Sequence, residues 1–253
     1  MPAIDNSPNY GRTFQMGRET EDKNSAPHFF EYIKDIPAEP EKGAKYRSKT
    51  STKSGKVSNY RLWKGWSGHL VGLSVKDKDF GSGIPERVLT ATLQDEDGDV
   101  NIELSFYGSY SQDLMKRLLD SNFDPSLSLS LSPFAMDKQN GGQNIGISAI
   151  SGTDTKLAGN ARAFGDKPAA PHLAGMPDLD SYVAKGKTVW DGSKQTEWLW
   201  DQLVEKVVPK LSKLGGAAVA RKPMPAPDDF PTSAPPVDHA VGALADDDFP
   251  QNW

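Results

Sequence analysis

Between residues 42 and 66 eight cations (Lys42, Lys45, Arg47, Lys49, Lys53, Lys56, Arg61 and Lys64) stand with no acidic residue among them. Tyr46, Tyr60, Trp63 and Trp66 are set into the same stretch. Cations neutralise phosphates while flat rings stack on bases without reading them, so the combination suits a single nucleic-acid strand. The alternative for each ring is burial, because large aromatics are mostly inside, and Trp63 or Trp66 could instead plug a core. The candidate contacts are Lys45, Arg47, Lys49, Lys53, Lys56, Tyr60, Arg61, Trp63, Lys64 and Trp66. Tyr107 joins them because alternation sets it opposite Phe106, on an outer face with Asn101 and Glu103.

A second constellation is a repeat. Asp228-Asp229-Phe230-Pro231 recurs as Asp247-Asp248-Phe249-Pro250, the later copy preceded by Asp246. An acidic run alone is usually solvation. Repetition beside a large apolar side chain suits a partner pocket with a basic rim and an apolar floor. Asp246, Asp247, Asp248, Phe249, Pro250 and Trp253 are the expected partner contacts.

Other chemistry finds little support. Asp95, Asp97 and Asp99 alternate like the start of a calcium loop, but Gly98 comes fourth rather than sixth and no glutamate stands twelfth, so a hairpin turn is expected. The four histidines (28, 69, 172 and 239) lack metal-ligand spacing, and Gly81 and Gly83 lack the lysine of a phosphate loop. The expectation is a protein that is not an enzyme and has no metal or cofactor. Cysteine is absent, which points to a reducing compartment. No apolar run has the length of a signal peptide or a membrane span, so a cytoplasmic location and no membrane partner are expected.

The elements that would position the cations begin near Tyr60. Residues 1–28 lack hydrophobic period and read as a flexible arm, and GAKYRSKTSTKSGK (43–56) reads as a mobile loop. Alternation marks strands over about 60–76, 88–94 and 99–107, with Asp97-Gly98 as a tight hairpin signal between the second and third. Leu114, Met115, Leu118 and Leu119 then follow helical spacing, with Ser109 and Gln112 in the form of a capping box. Two more strands run through Leu127, Leu129 and Leu131 and through Ile145, Ile147 and Ala149. A further helix over about 193–214 presents Trp198, Leu199, Leu203, Val207 and Leu211 on one face and should bend at Pro209. This is a mainly β chain of order β-β-β-α-β-β, which the five-stranded oligonucleotide-binding barrel shares: one helix between strands 3 and 4, here with an added C-terminal helix and disordered termini. The expected divisions are an arm over 1–28, a domain over 29–214 and an acidic tail over 215–253. The net charge of −5 hides this split. Six of the 34 acidic residues lie after residue 222 and none of the 29 basic ones do, which leaves 29 basic against 28 acidic groups in residues 1–222.

At its tip, Asp246-Asp247-Asp248-Phe249-Pro250-Gln251-Asn252-Trp253, the sequence resembles the bacterial and bacteriophage single-stranded DNA-binding proteins. Those combine an oligonucleotide-binding barrel, a Gly/Pro-rich linker and a tip of the form Asp-Asp-Asp-apolar-Pro-Phe. Trp253 in place of Phe, and Gln251-Asn252 after the proline, depart from that pattern and put the usual bacterial pocket in doubt as partner. The arm and the extra helix fit a phage version better. The resemblance implies a protein that coats single-stranded DNA in DNA replication, recombination or repair. Its tail would recruit replication or recombination proteins, and self-association is left open. The alternative is a phage structural or scaffolding protein whose small barrel makes protein contacts.

The two readings of the aromatics separate by experiment. A stacking Trp63, Trp66 or Tyr107 loses about 1–3 kcal/mol of oligonucleotide binding on change to Ala with its thermal transition nearly unmoved. A core ring instead costs about 3–5 kcal/mol of stability. Paired binding and melting measurements on each Ala variant sort them.

Overall fold

The computed structural model describes residues 12–22, 24–51, 55–79, 83–137, 143–158, 173, 175–184 and 186–215. The chain is mainly β. Ten strands form one sheet: β1 (Arg12–Arg18), β2 (Pro27–Ile33), β3 (Lys45–Thr50), β4 (Val57–Trp63), β5 (Trp66–Lys78), β6 (Glu86–Asp95), β7 (Gly98–Ser105), β8 (Ser128–Asp137), β9 (Gln143–Ser151) and β10 (Thr155–Lys156). Their spatial order is β10-β9-β8-β5-β6-β7-β1-β2-β4-β3. Helix α1 (Ser109–Leu118) falls between β7 and β8 in the chain, and a separate hairpin, β11 (Asp180–Ala184) with β12 (Lys187–Asp191), leads into α2 (Ser193–Lys206) and α3 (Val208–Gly215). Among the described residues no helix is long and apolar enough to cross a membrane.

The elements with the strongest apolar period form where that period put them. In β6 and β7, Leu89, Ala91 and Leu93 pair with Leu104, Ile102 and Val100, and all six are buried. In β8 and β9, Leu131 pairs with Ala149 and both are buried. Helix α1 buries Leu114, Met115 and Leu118 against this face. The long C-terminal helix breaks at Val207, two residues before Pro209, and buries Leu199, Leu203, Val207 and Leu211.

Four expectations are corrected. The sheet is not a closed five-stranded barrel, because β1 pairs in parallel with β7 and extends the sheet through β2, β4 and β3 to an open edge. The supposed single strand over 60–76 is two strands, β4 and β5, divided at Lys64-Gly65; apolar alternation runs through the break and conceals it. Within the expected arm, Arg12–Arg18 is a strand that buries Phe14, and the strand Pro27–Ile33, which buries Phe29, begins in the arm's last two residues. Within the expected basic loop, Lys45–Thr50 is the edge strand β3. Smaller differences concern turns. Gly108 rather than Ser109 caps α1, and Gln112 reaches Thr196 Oγ1 on α2 (2.8 Å) instead of closing a capping box. The β6–β7 turn centres on Glu96 and Asp97, with Gly98 following at φ 127° and the Asp95 carboxylate accepting the N–H groups of Asp97 and Gly98.

Two residues join β4 to β5 although four strands lie between them in the sheet order. The sheet must therefore curl until these strand ends meet. No ladder joins them, which leaves an open seam rather than a closed wall.

A buried ion pair fixes α1 to the far side. Asp113 Oδ2 accepts Arg117 Nε and Nη2 (both 3.3 Å) and the backbone N–H of Ile147 (2.8 Å), while Arg117 Nη1 donates to Leu157 O (2.6 Å). Breaking such a pair strands a desolvated charge. Asp113→Ala should lower stability by about 3–5 kcal/mol, and adding Arg117→Met should recover much of the loss. Denaturant unfolding of both variants checks this.

Candidate nucleic-acid interface

Strand register decides which side each candidate residue occupies. Phe14, buried in the main core, lies opposite Glu31, so Glu31 and Phe29 on β2 face the core, while His28, Phe30 and Tyr32 face outward. The ladder carries this outer face across the sheet: Phe30 pairs with Leu62 and Leu62 with Lys45, and Tyr32 pairs with Tyr60 and Tyr60 with Arg47. One step further, Lys49 lies opposite Ser58. Lys45, Arg47 and Lys49 thus occupy alternate positions of an edge strand and share a face with Phe30, Tyr32, Tyr60 and Leu62.

This outer face has its own small core. Phe30, Tyr60 and Leu62 are buried together, apart from the main cluster, with the rings of Phe30 and Tyr60 5.5 Å apart. Lys49 Nζ stands 4.9 Å from the Phe30 ring centre and the Arg47 guanidinium 6.0 Å. Residue 17 must be glycine here, since a Cβ would come within 2.8 Å of the Phe30 ring. Tyr32 meets Tyr60 edge-on at 6.2 Å and remains 56% exposed. Burial pushes the Tyr60 hydroxyl pKa up.

Lys45 and Arg47 on this face already have acidic or carbonyl partners. Lys45 pairs with Glu19, and Arg47 donates to the carbonyls of Arg18 and Thr20 (the latter 2.9 Å) with Glu21 at 3.7 Å.

The remaining candidates divide. Arg61, Trp63 and Trp66 lie at the seam, on the core side. Trp63 and Trp66 meet edge-on at 4.8 Å and both contact Phe14, at 6.3 and 5.0 Å. Their indole N–H groups are committed, Trp63 to Glu31 (2.8 Å) and Trp66 to Asp95 (3.0 Å). Arg12 forms a bidentate pair with Glu31 (2.7 and 2.9 Å) and lies 4.5 Å from the Trp66 ring, while Arg61 lies 4.0 Å from Trp63 and pairs with Glu41. These tryptophans are half-buried at the seam and pack against the main core. Lys56 and Lys64 are exposed in connections, and Lys53 lies outside the described residues. Tyr107 stands apart: its hydroxyl donates to Glu197 on α2 (2.6 Å) and accepts from Arg87 (3.1 Å), which locks helix to sheet. Asp246, Asp247, Asp248, Phe249, Pro250 and Trp253 also lie outside the described residues.

Sequence reading missed Phe30 and Tyr32. They lie between the expected arm and the expected basic loop, where no strand was assigned, so their outward parity was invisible. Comparison with protein-family models, with curated proteins and with solved structures gives no match.

Burial pushes the Glu31 carboxyl up, but the hydrogen bonds from Arg12 and Trp63 outweigh it and hold the group below its ordinary range. A depressed folded-state pKa gives stability that is complete above the unfolded glutamate value and is lost as pH falls through the folded one. Glu31→Gln should therefore cost about 1–3 kcal/mol near neutrality, with the difference from wild type closing on acidification. Urea unfolding across a pH series measures it.

Proposed function

We propose that the protein binds single-stranded DNA across the outer face of β2, β4 and β3 without catalysing a reaction on it. The observation that carries this reading is the shared face: alternating cations at Lys45, Arg47 and Lys49 beside Phe30 and Tyr60, with Tyr32 projecting as an open ring. Phosphates would run along the β3 edge while a base stacks on Tyr32, a mode with weak sequence preference. A duplex hides its base faces and offers Tyr32 nothing to stack on.

In this proposal the unit β5, β6, β7, α1, β8 and β9 is an opened variant of the oligonucleotide-binding barrel, sharing its element order. The cationic face lies largely outside that unit, on the leaf added through β1. Coating of strands exposed in replication, recombination or repair, and recruitment of partner enzymes by the tip Asp246–Trp253, complete the proposed role.

The test is a titration of the full chain with a labelled oligothymidylate at several salt concentrations. Binding should weaken steeply with salt and be stronger than to a duplex of equal length. Tyr32→Ala should cost about 1–3 kcal/mol of binding with an unchanged melting transition, and Lys49→Gln should reduce the salt slope by about one. Salt-independent affinity or a duplex preference would overturn the proposal.

A further inference from the structure

The connection between β1 and β2 is acidic and internally braced. Glu19 N–H donates to Ala26 O (2.9 Å), Ser25 N–H to Asp22 O (2.9 Å), Thr20 N–H to Ser25 Oγ (3.1 Å) and Asn24 N–H to Asp22 Oδ1 (2.9 Å). Arg47 grips the main chain of this turn at the Arg18 and Thr20 carbonyls, and its side chain is only 13% exposed. Glu19 of this turn pairs with Lys45, the adjacent outward cation of the edge strand. The turn's position does not depend on that contact, because Arg47 and the internal hydrogen bonds hold it.

Lys45 and Glu19 keep 44% and 30% of their side chains exposed, so the pair is open to exchange. The hydrogen bond from Lys45 holds the Glu19 carboxyl below its ordinary range. A carboxylate on an ammonium occupies the position that a phosphate oxygen would take. Glu21 is a weaker rival: it is almost wholly exposed, and Arg47 is already bound to two carbonyls.

We propose that Glu19 is a built-in competitor for phosphate at Lys45, so that a nucleic-acid strand binds this face by displacing a carboxylate and the β1–β2 turn limits its affinity. The inference rests on the proposed DNA-binding reading of the same face. Exposed ion pairs contribute about 0.2–1 kcal/mol, so relieving the competition should tighten binding by up to about fivefold. The gain should shrink as salt screens the pair.

The experiment titrates labelled oligothymidylate into the full chain and into Glu19→Gln, Lys45→Gln, the double variant and Glu205→Gln, with circular dichroism melts alongside. Glu205 is exposed on α2, so its removal changes net charge equally without touching the turn. Glu19→Gln should bind about two- to fivefold more tightly at low salt. The gain should vanish in the Lys45→Gln background and be absent in Glu205→Gln. An equal gain from Glu205→Gln would show a net-charge effect and overturn the competitor. Unchanged affinity in Glu19→Gln, with Lys45→Gln weakened, would overturn it too and leave the binding face standing. A wild-type chain that does not bind the oligonucleotide would remove both.

Discussion

The cationic leaf is attached to the rest of the sheet through one seven-residue strand. In the sheet order β1 lies between β7 and β2, so the backbone ladder of β2, β4 and β3 joins the rest of the sheet only through Arg12–Arg18, while Phe29 of β2 and Trp63 of β4 pack into the main core themselves. Four parallel pairs with β7 hold one side and five antiparallel pairs with β2 hold the other. Parallel ladders are slightly weaker per residue and join segments distant in the chain, so β1 needs side chains to fix it. Phe14 supplies the apolar part, fully buried against Phe29 and near both seam tryptophans. Arg12 supplies the polar part, through Glu31 to Trp63. Loss of this strand would remove the backbone ladder that joins the leaf to the rest of the sheet.

The opposite side is held differently. There α1 spans from β7 to β9, and the Asp113–Arg117 pair reaches the β9 backbone and the Leu157 carbonyl beyond it. Each nitrogen of the Arg117 guanidinium has an acceptor, which is the condition under which a buried charge is tolerated. Gly146 is part of the arrangement, because a Cβ there would strike the Asp113 carboxylate and stand 2.8 Å from the Phe134 ring. Tyr107, Arg87 and Glu197 then tie α2 to the end of β7. Aromatic and charged residues that look available in the sequence are therefore spent on docking one element to another.

Legibility followed the source of each element's stability. Strands β6 to β9 and helix α1 bury one face in the main core, so their periodicity was visible in Leu89, Ala91 and Leu93 or in Leu114, Met115 and Leu118. Strand β3 buries no residue and lies at an edge, where lysines and serines are tolerated, and so KYRSKT looked like a loop. Strand β1 is identified by a pairing some ninety residues away along the chain, which no local pattern encodes. The same holds for the candidate site. The cations at 45, 47 and 49 were legible as a stripe, but assigning Phe30 and Tyr32 to their face, and Trp63 and Trp66 to the other, required the parity of a register that sequence does not contain.

Charge placement constrains how such a face could work. Glu19, Glu21 and Glu41 stand against Lys45, Arg47 and Arg61, so the stripe that looks strongly basic along the chain is compensated in space at these three cations. At physiological salt, exposed charges act over only about 8 Å, and a compensated cluster projects little field beyond that range. Long-range steering of a polyanion is then weak, and the face must discriminate at contact. Exchange of a carboxylate for a phosphate returns little net Coulomb energy, since one anion replaces another on the same ammonium. The surplus has to come from what the carboxylate cannot provide: release of counterions from the strand, and a base laid on the open ring of Tyr32. By this reasoning an acidic peptide meets the same cations with less return than a nucleic-acid strand. A sheet face with one exposed ring and several compensated cations is therefore more selective than its sequence charge suggests.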